Sequence, residues 1–595
     1  MRNNRRDFLK KGALTGLILS GAGLSNTHLL AHQSHEETLR DCPISAELFY
    51  QSIHFNPDEA PGELPLNAIK IFYRILQERT GIEFNNRSEN SLTIRLVENP
   101  GSLPEEGFRI DRITEHLITI TASNENGILY GLGKLLHNSS STEKGFKPGK
   151  WEGLSAPEKK QRNIYFATHF NNFYHTAPIQ KVVNYIEELA FWGYNTIEVW
   201  FDMHGFEGIN DPKAKKMLER LALILRAGKG AGMKVAICML ANEGYNSTPI
   251  PLRATEPKQI KLRGRYGVEI CPSKPGGTEL IMQQAEEEFD AFKNLGVTLD
   301  LLILWPYDQG GCGCDQCIPW GSNGYLNLSR KISNLARRKI PAIKIVLSTW
   351  LFDCVEDEGE WKGLTKTFQN EKPFVDYIQA DSHEKFPKYL NQNRVPGGLP
   401  LLNFPEISMW NSWPWGGFGA NPLPQRFQML WNEVKGRVAG GAPYSEGIFE
   451  DLNKVIYSQF YWTADRSAAD ILKEYLSFEF SPADPELIIE AIEILEKNHG
   501  LQAHSHAGSG TIIKVPKNDF GAKRAYEILQ TANDQLPDQV KRGWRWRILF
   551  LRAMFDYELR VSQGVQTEKI KGGFLELTAL YYADQADPSV HPPRD

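Results

Sequence analysis

From residue 162 onward, short apolar runs alternate with stretches whose apolar positions recur every three to four residues, the pattern of parallel strands joined by crossover helices. Eight runs predict strands at Ile164–Thr168, Thr196–Phe201, Lys234–Leu240, Leu299–Trp305, Ile343–Trp350, Tyr377–Ala380, Leu401–Phe404 and Gly441–Ser445. Eight strand-and-helix units over about 300 residues suit a (β/α)8 TIM barrel, placed at 160–462. An open doubly wound sheet is the competing arrangement. No glycine-rich fingerprint follows any of the runs, and most end in polar or aromatic residues, as barrel rims do.

The flanking segments have other periods. Ile69, Phe72, Tyr73 and Leu76 predict a helix stopped by Gly81. Leu92–Val97, Gly107–Asp111 and Leu117–Ala122 read as short strands, and a helix follows Asn126-Gly127 through Leu129, Leu132 and Leu136. Residues 43–145 are therefore expected to form a small α/β domain. Beyond Trp462 the strand pattern stops. Ile471–Phe480, the segment opened by Asp484-Pro485-Glu486, Ala522–Asn533 and Trp544–Val561 predict an α-helical domain over 463–586, followed by a short tail.

With 595 residues the chain is long enough for several cores, and 41% hydrophobic with 23% charged residues excludes the disordered, fibrous and multi-span membrane classes. A net charge of -5 supplies no field for drawing in a polyanion, so no nucleic-acid partner is expected. The start differs from the rest. Arg5-Arg6-Asp7-Phe8-Leu9-Lys10 resembles the twin-arginine export motif, and the apolar stretch from Ala13 to Leu24 is too short to span a bilayer comfortably. Residues 1–31 are read as a twin-arginine signal peptide cleaved near Ala31. No cysteine sits there to carry a lipid, so the mature protein is expected to be periplasmic or secreted, with no integral membrane association. Nothing in the pattern assigns an oligomeric state.

In a barrel the chemistry sits where strands end. Those positions are crowded with acids: Glu198, Asp202, Glu243, Asp308, Asp381, Glu406, Glu446 and, just beyond, Glu450 and Asp451. Many of the 14 tryptophans accompany them, among them Trp200, Trp305, Trp350, Trp410, Trp413 and Trp415. Paired carboxylates beside indole faces suit glycoside hydrolysis, in which one acid protonates the departing oxygen and the other activates water or attacks the anomeric carbon. The candidate catalytic residues are Asp308, Glu446, Glu406 and Asp381. The candidate substrate contacts are Asp202, His204, Asn242, Glu243, Trp305, Tyr307, Trp350 and Trp410, and His169 and Arg263 can also read hydroxyls or a carboxylate.

Cys312, Cys314 and Cys317 lie within six residues, close enough to share one metal with Cys271 or Cys354 as the fourth ligand. A structural zinc bracing the loop that carries Asp308 is one reading; a disulfide or buried free thiols is the other. Neither makes a metal necessary for catalysis, and no histidine stands near the thiols as in a nucleophilic triad.

Several of these stretches are familiar. Glu106-Gly107-Phe108-Arg109-Ile110, Leu117–Ala122, Asn126-Gly127 and Tyr130-Gly131 together resemble the small domain that precedes the barrel in family-twenty hexosaminidases and bacterial α-glucuronidases. The loop from Trp305 through Cys317 resembles the Cys-x-Cys-x-x-Cys strand-four loop of related exo-acting β-N-acetylglucosaminidases. The resemblance implies Asp308 as the strand-four general acid and Asp381 and Glu406 as the base side of an inverting pair. The α-glucuronidases place glutamate at the acid position and the hexosaminidases an Asp-Glu pair, so this chain departs from both. A third arrangement uses Glu446 as nucleophile or base. Asn242-Glu243 resembles the Asn-Glu acid of retaining barrel enzymes, one strand early. The expectation is an exported exo-acting glycoside hydrolase, with a terminal hexosaminide or uronide of an oligosaccharide or glycan as substrate. The alternative is a non-catalytic carbohydrate-binding protein on a decayed glycosidase barrel.

Overall fold

The computed structural model describes residues 48–60, 62–86, 90–168, 172–256, 266–307, 310–353, 359–383, 385–408, 420, 422–499, 521–565 and 567–581. The expected signal peptide at residues 1–31, Asp308, Trp410, Trp413, Trp415, His169, Arg263 and Cys354 lie outside these residues. Among the described residues no helix is long and apolar enough to cross a membrane.

Alternation of apolar and polar residues makes Leu117–Ala122 a one-sided strand, and a small sheet is built around it. Its strands are β1 (Ser52–Glu59), β2 (Ser91–Glu98), β3 (Phe108–Thr114), β4 (Leu117–Ala122) and β7 (Gly153–Ser155), in the order β1-β2-β4-β3-β7. β1, β2 and β4 run parallel, whereas β3 is antiparallel to both of its neighbours. A hairpin of β5 (Ser140–Thr142) and β6 (Gly145–Lys147) stands beside it. The helices Glu63–Thr80 and Glu125–His137 cover the sheet. The first stops at Gly81, whose φ of 73° is easy only for glycine, and the second starts where the Asn124 side chain accepts the Gly127 N–H. β1 escapes the sequence reading because Asn56 and Pro57 interrupt its alternation.

The sheet that follows is a closed parallel barrel. It contains β8 (Gln161–Phe166), β9 (Thr196–Trp200), β10 (Lys234–Leu240), β11 (Leu301–Trp305), β12 (Lys344–Ser348), β13 (Tyr377–Asp381), β14 (Leu401–Phe404) and an eighth strand in two pieces, β15 (Gly440–Gly441) and β16 (Tyr444–Ser445). β15 pairs with β14 on one side and β8 on the other, which completes the ring. The fold class expected from the sequence is the one observed, with helices following the barrel. Alternate residues fill the interior: Tyr165, Trp200, Ala236, Cys238, Leu301, Ile303, Val346, Leu402, Phe404 and Ala442 form one packed cluster. A buried polar contact crosses it, from Asn163 Nδ2 to Glu198 Oε1 at 2.5 Å.

Helices from Asp451–Trp462 to Glu568–Tyr581 pack behind the eighth strand. Asp451 is their buried anchor. It accepts from Tyr185 (2.7 Å), Tyr475 (2.8 Å) and Arg545 Nε (2.8 Å). Burial works against its charge, yet Arg545 and the surrounding donors hold its carboxyl below the usual range. At the end of the helices, Tyr581 Oη donates to the Glu446 carbonyl at 2.8 Å.

Closure leaves no room at β15. A Cβ on Gly440, whose φ is 144°, would meet the Gln161 carbonyl oxygen at 1.7 Å, and one on Gly441 would meet Asn403 Oδ1 at 2.0 Å. Gly440→Ala is therefore expected to destabilise the protein by at least about 2 kcal/mol in denaturant unfolding, whereas Gly436→Ala, which meets nothing, stays within about 0.5 kcal/mol.

Candidate active site

Side chains two apart along a strand face the same way, so each inward line continues past the strand end to the rim. Leu402 and Phe404 lead to Glu406, and Ala442 and Tyr444 lead to Glu446. A bridge between Glu406 and Tyr444 keeps the two lines side by side. The two glutamates are close enough for the charge of Glu406 to bear on Glu446.

Their settings differ. Glu446 is buried, 3% exposed, and its Oε1 accepts the Tyr444 hydroxyl at 2.9 Å. Burial first, then the charges of Glu406 and Glu450, push its carboxyl well above the usual range, so it is neutral where an ordinary glutamate is ionised. Glu406 is partly exposed, and one of its oxygens accepts both the N–H (2.7 Å) and the hydroxyl of Ser408. Behind them, Glu450 Oε1 accepts the N–H groups of Glu446 (2.5 Å) and Gly447 (2.9 Å) and the Ser445 hydroxyl (3.1 Å), fixing the turn that presents Glu446. Lys454, buried beside Glu450, is lowered to about 8 by burial.

Beside this pair lies an aromatic floor. Trp305 and Trp350 stack with centroids 6.0 Å apart, and Phe404 meets both edge-on at 4.8 and 5.6 Å. Tyr444 adjoins Phe404 at 5.9 Å and Tyr165 at 5.4 Å. The Trp350 indole nitrogen is buried with no hydrogen-bond partner among the described residues. Asp381, at the end of β13, is partly exposed and accepts the His383 N–H at 2.7 Å.

Other predicted positions do different work. Glu243 accepts from Trp200 Nε1 (3.1 Å) and the His204 N–H (3.1 Å), and its Oε1 lies 2.8 Å from His204 Nδ1. The His204 ring stacks on Tyr266 at 3.3 Å, so Trp200, His204 and Tyr266 make a second aromatic platform. Burial raises the Glu243 carboxyl. Asn242 is fully buried, and its amide is taken up by the Ile270 and Gly311 backbone. Tyr307 is 1% exposed and donates to Glu360. Asp202 lines a cleft of about 540 Å³ with His175, Lys213, Lys216 and Arg220; burial and then Glu243 raise it to about 7. A cavity of about 650 Å³ lined by Tyr130, Lys134, Trp192 and Arg466 holds none of the predicted residues.

Two acids outside the predicted set belong to the same electrostatic picture. Burial raises Glu198 to about 7, and it raises Glu288, on the helix Gly277–Asn294, well above the usual range with help from Glu243. Glu288 reads as an ordinary helical surface acid, and Tyr266 as a loop residue; only the packing reveals them. The sulfur atoms of Cys271, Cys312, Cys314 and Cys317 all lie within 4.8 Å of one another.

No protein-family profile and no curated protein sequence matches the chain. Solved structures do. A family GH115 4-O-methyl-α-glucuronidase with specificity for decorated arabinogalactans superposes with a TM-score of 0.58 at 10% identity, over 90% of this chain and 77% of that one. A GH138 enzyme targeting pectin rhamnogalacturonan II gives 0.52 at 13%, over 89% and 88%. A family 89 glycoside hydrolase from Clostridium perfringens, in complex with its substrate GlcNAc-α-1,4-galactose, gives 0.56 at 13%, over 88% of this chain and 65% of that one. At such identities the likeness is one of fold, and the fold is shared with glycoside hydrolases.

A raised folded-state carboxyl binds a proton that the unfolded chain has released, so it costs stability as pH climbs from the ordinary glutamate range toward the folded value. Glu446→Gln is expected to unfold at a higher temperature than the parent, by a margin that widens as pH rises through that window in calorimetric scans. Glu406→Gln removes the repulsion and should move the Glu446 titration downward in carboxyl infrared difference spectra; an unmoved band would mean that the two groups do not interact.

Proposed function

We propose that this protein is an exported, exo-acting glycoside hydrolase that removes a terminal hexosaminide or uronide from a glycan. The observation that carries the reading is the pair at the ends of adjacent strands: a neutral, buried Glu446 beside Glu406, next to the floor of Trp305, Trp350 and Phe404. A protonated acid and a charged carboxylate facing one site are the two groups that glycosidic cleavage requires. In this reading Glu446 gives its proton to the departing oxygen. Glu406 stabilises the positive charge growing at the anomeric carbon and either attacks it or draws a proton from water.

The floor receives the apolar face of the sugar ring, and the Trp350 N–H supplies a directed hydrogen bond. The Trp200, His204 and Tyr266 platform with Glu243 reads the sugar's hydroxyls or its acyl or carboxyl substituent. Asp308, one residue beyond Tyr307, is the competing acid, and Asp381 the competing base. The fold shared with a glucuronidase and with an enzyme that cleaves GlcNAc-α-1,4-galactose supports both sugar classes. Export is supported by Arg5-Arg6 and the apolar stretch behind them.

A panel of aryl hexosaminides and uronides tests this. Release of the aryl group is expected with at least one sugar, and kcat/KM should fall by about 10²-fold or more in Glu446→Gln and in Glu406→Gln. Because the acid works only while protonated, activity should decline as pH rises through the raised Glu446 value and not near the ordinary glutamate range. If Asp308→Asn alone abolishes turnover while Glu446→Gln retains it, the acid is Asp308. Sugar-dependent tryptophan fluorescence with no turnover across the panel would identify a binding protein instead.

A further inference from the structure

Cys271, Cys312, Cys314 and Cys317 come from two loops that follow neighbouring strands, β10 and β11, and belong to none of the chemistry above. All four are free thiols, and three of them are buried. Cys271 Sγ lies 3.8 Å from Cys314 Sγ and 4.0 Å from Cys317 Sγ. A zinc ion holding four sulfurs at about 2.3 Å in a tetrahedron sets them about 3.8 Å apart. The sulfur cage therefore already has the dimensions of a filled site.

The surroundings are those of ligands. The Ser273 N–H is directed at Cys271 Sγ and the Cys314 N–H at Cys312 Sγ, and the Ser273 hydroxyl lies 3.0 Å from Cys317 Sγ. Donors of this kind disperse thiolate charge and orient the sulfurs. Backbone bonds lock the two loops around the cage: Cys271 N to the Leu252 carbonyl (2.9 Å), Gly313 N to the Thr255 carbonyl (2.8 Å), and Cys317 N to the Cys314 carbonyl (2.9 Å). Asn242 ties the two loops together one turn away, donating to both Ile270 and Gly311. Hard cations such as magnesium and calcium take oxygen ligands, and an all-sulfur tetrahedron suits zinc.

We propose that these four cysteines bind one zinc ion as a closed structural site, a clip that fastens the loop after β10 to the loop after β11. No position is left for water, so the metal takes no part in hydrolysis. Its role is to hold the chain on either side of the rim: Ile270 and Cys271 on one loop, Gly311 to Cys317 on the other. The inference does not depend on the glycosidase reading, because metal content and unfolding need no substrate.

The full-length protein, purified without chelator, is expected to contain one zinc per chain by elemental analysis. Its four thiols should resist a thiol reagent until a strong chelator enters at Cys314, the partly exposed ligand, and metal removal should lower the unfolding temperature. Cobalt exchanged into the protein should show thiolate-to-metal charge-transfer bands. Cys271→Ser should lose the metal. Cys314→His, which keeps a zinc ligand and preserves folding, should retain it with a shifted cobalt spectrum, and Asp315→Asn, exposed between the ligands, should leave both unchanged. Native protein without zinc and with four freely reactive thiols would overturn the proposal. So would disulfides among these cysteines by mass spectrometry, or iron at equal stoichiometry.

Discussion

Closing the barrel requires the eighth strand to fit between β14 and β8, and the contact is so tight at Gly440 and Gly441 that no side chain is tolerated. That constraint places the rest of the site. With β15 wedged there, the chain resumes at Tyr444 beside both Tyr165 of β8 and Glu406 beyond β14. Glu446 then follows two residues later on the inward line. The same strand delivers the helix Asp451–Trp462, whose first residue, Asp451, is gripped by Tyr185, Tyr475 and Arg545. A single short strand thus joins barrel closure, the candidate acid and the anchorage of the C-terminal helices.

Electrostatics then divides the acids into two kinds. Asp451 meets a buried guanidinium and several hydroxyls and stays charged. Among the described residues no arginine or lysine is paired with Glu446, Glu243, Glu288 or Glu198, and burial raises each of them. A buried carboxyl without a counter-ion costs stability unless it takes up a proton. Burial that raises a carboxyl in this way also marks the places where acid–base chemistry is looked for first.

Much of this was readable from the chain. Strand runs such as Lys234–Leu240 and Leu401–Phe404 match the structure to the residue, because β-branched and large apolar side chains bounded by turn residues leave little choice. Gly81 and Asp484-Pro485-Glu486 mark helix ends through backbone chemistry that is local by nature. β1 was not readable: its helix-facing residues, such as Ile53 and Phe55, are separated by Asn56-Pro57 from the rest of the strand, and its pairing with β2 shifts register between Asn56 and Glu59. The roles of Asn242 and Tyr307 were equally hidden. Both stand at inward register beyond a strand end, as a substrate contact would, yet one is consumed by the backbone of two loops and the other by Glu360.

The order of apolar and polar residues by itself determined the parallel barrel, its eight strands, three strands of the flanking sheet and the helices that follow the barrel. Those properties follow from periods of two and 3.6 residues, and a period is a property of neighbours in sequence. Tertiary structure alone decided which acids meet: Glu406 with Glu446 across 40 residues of chain, and Glu243 with Glu288 across 45. It also decided that Cys271 joins the three cysteines of the next loop. Burial and proximity depend on how segments far apart in the chain pack together. No local pattern carries that information.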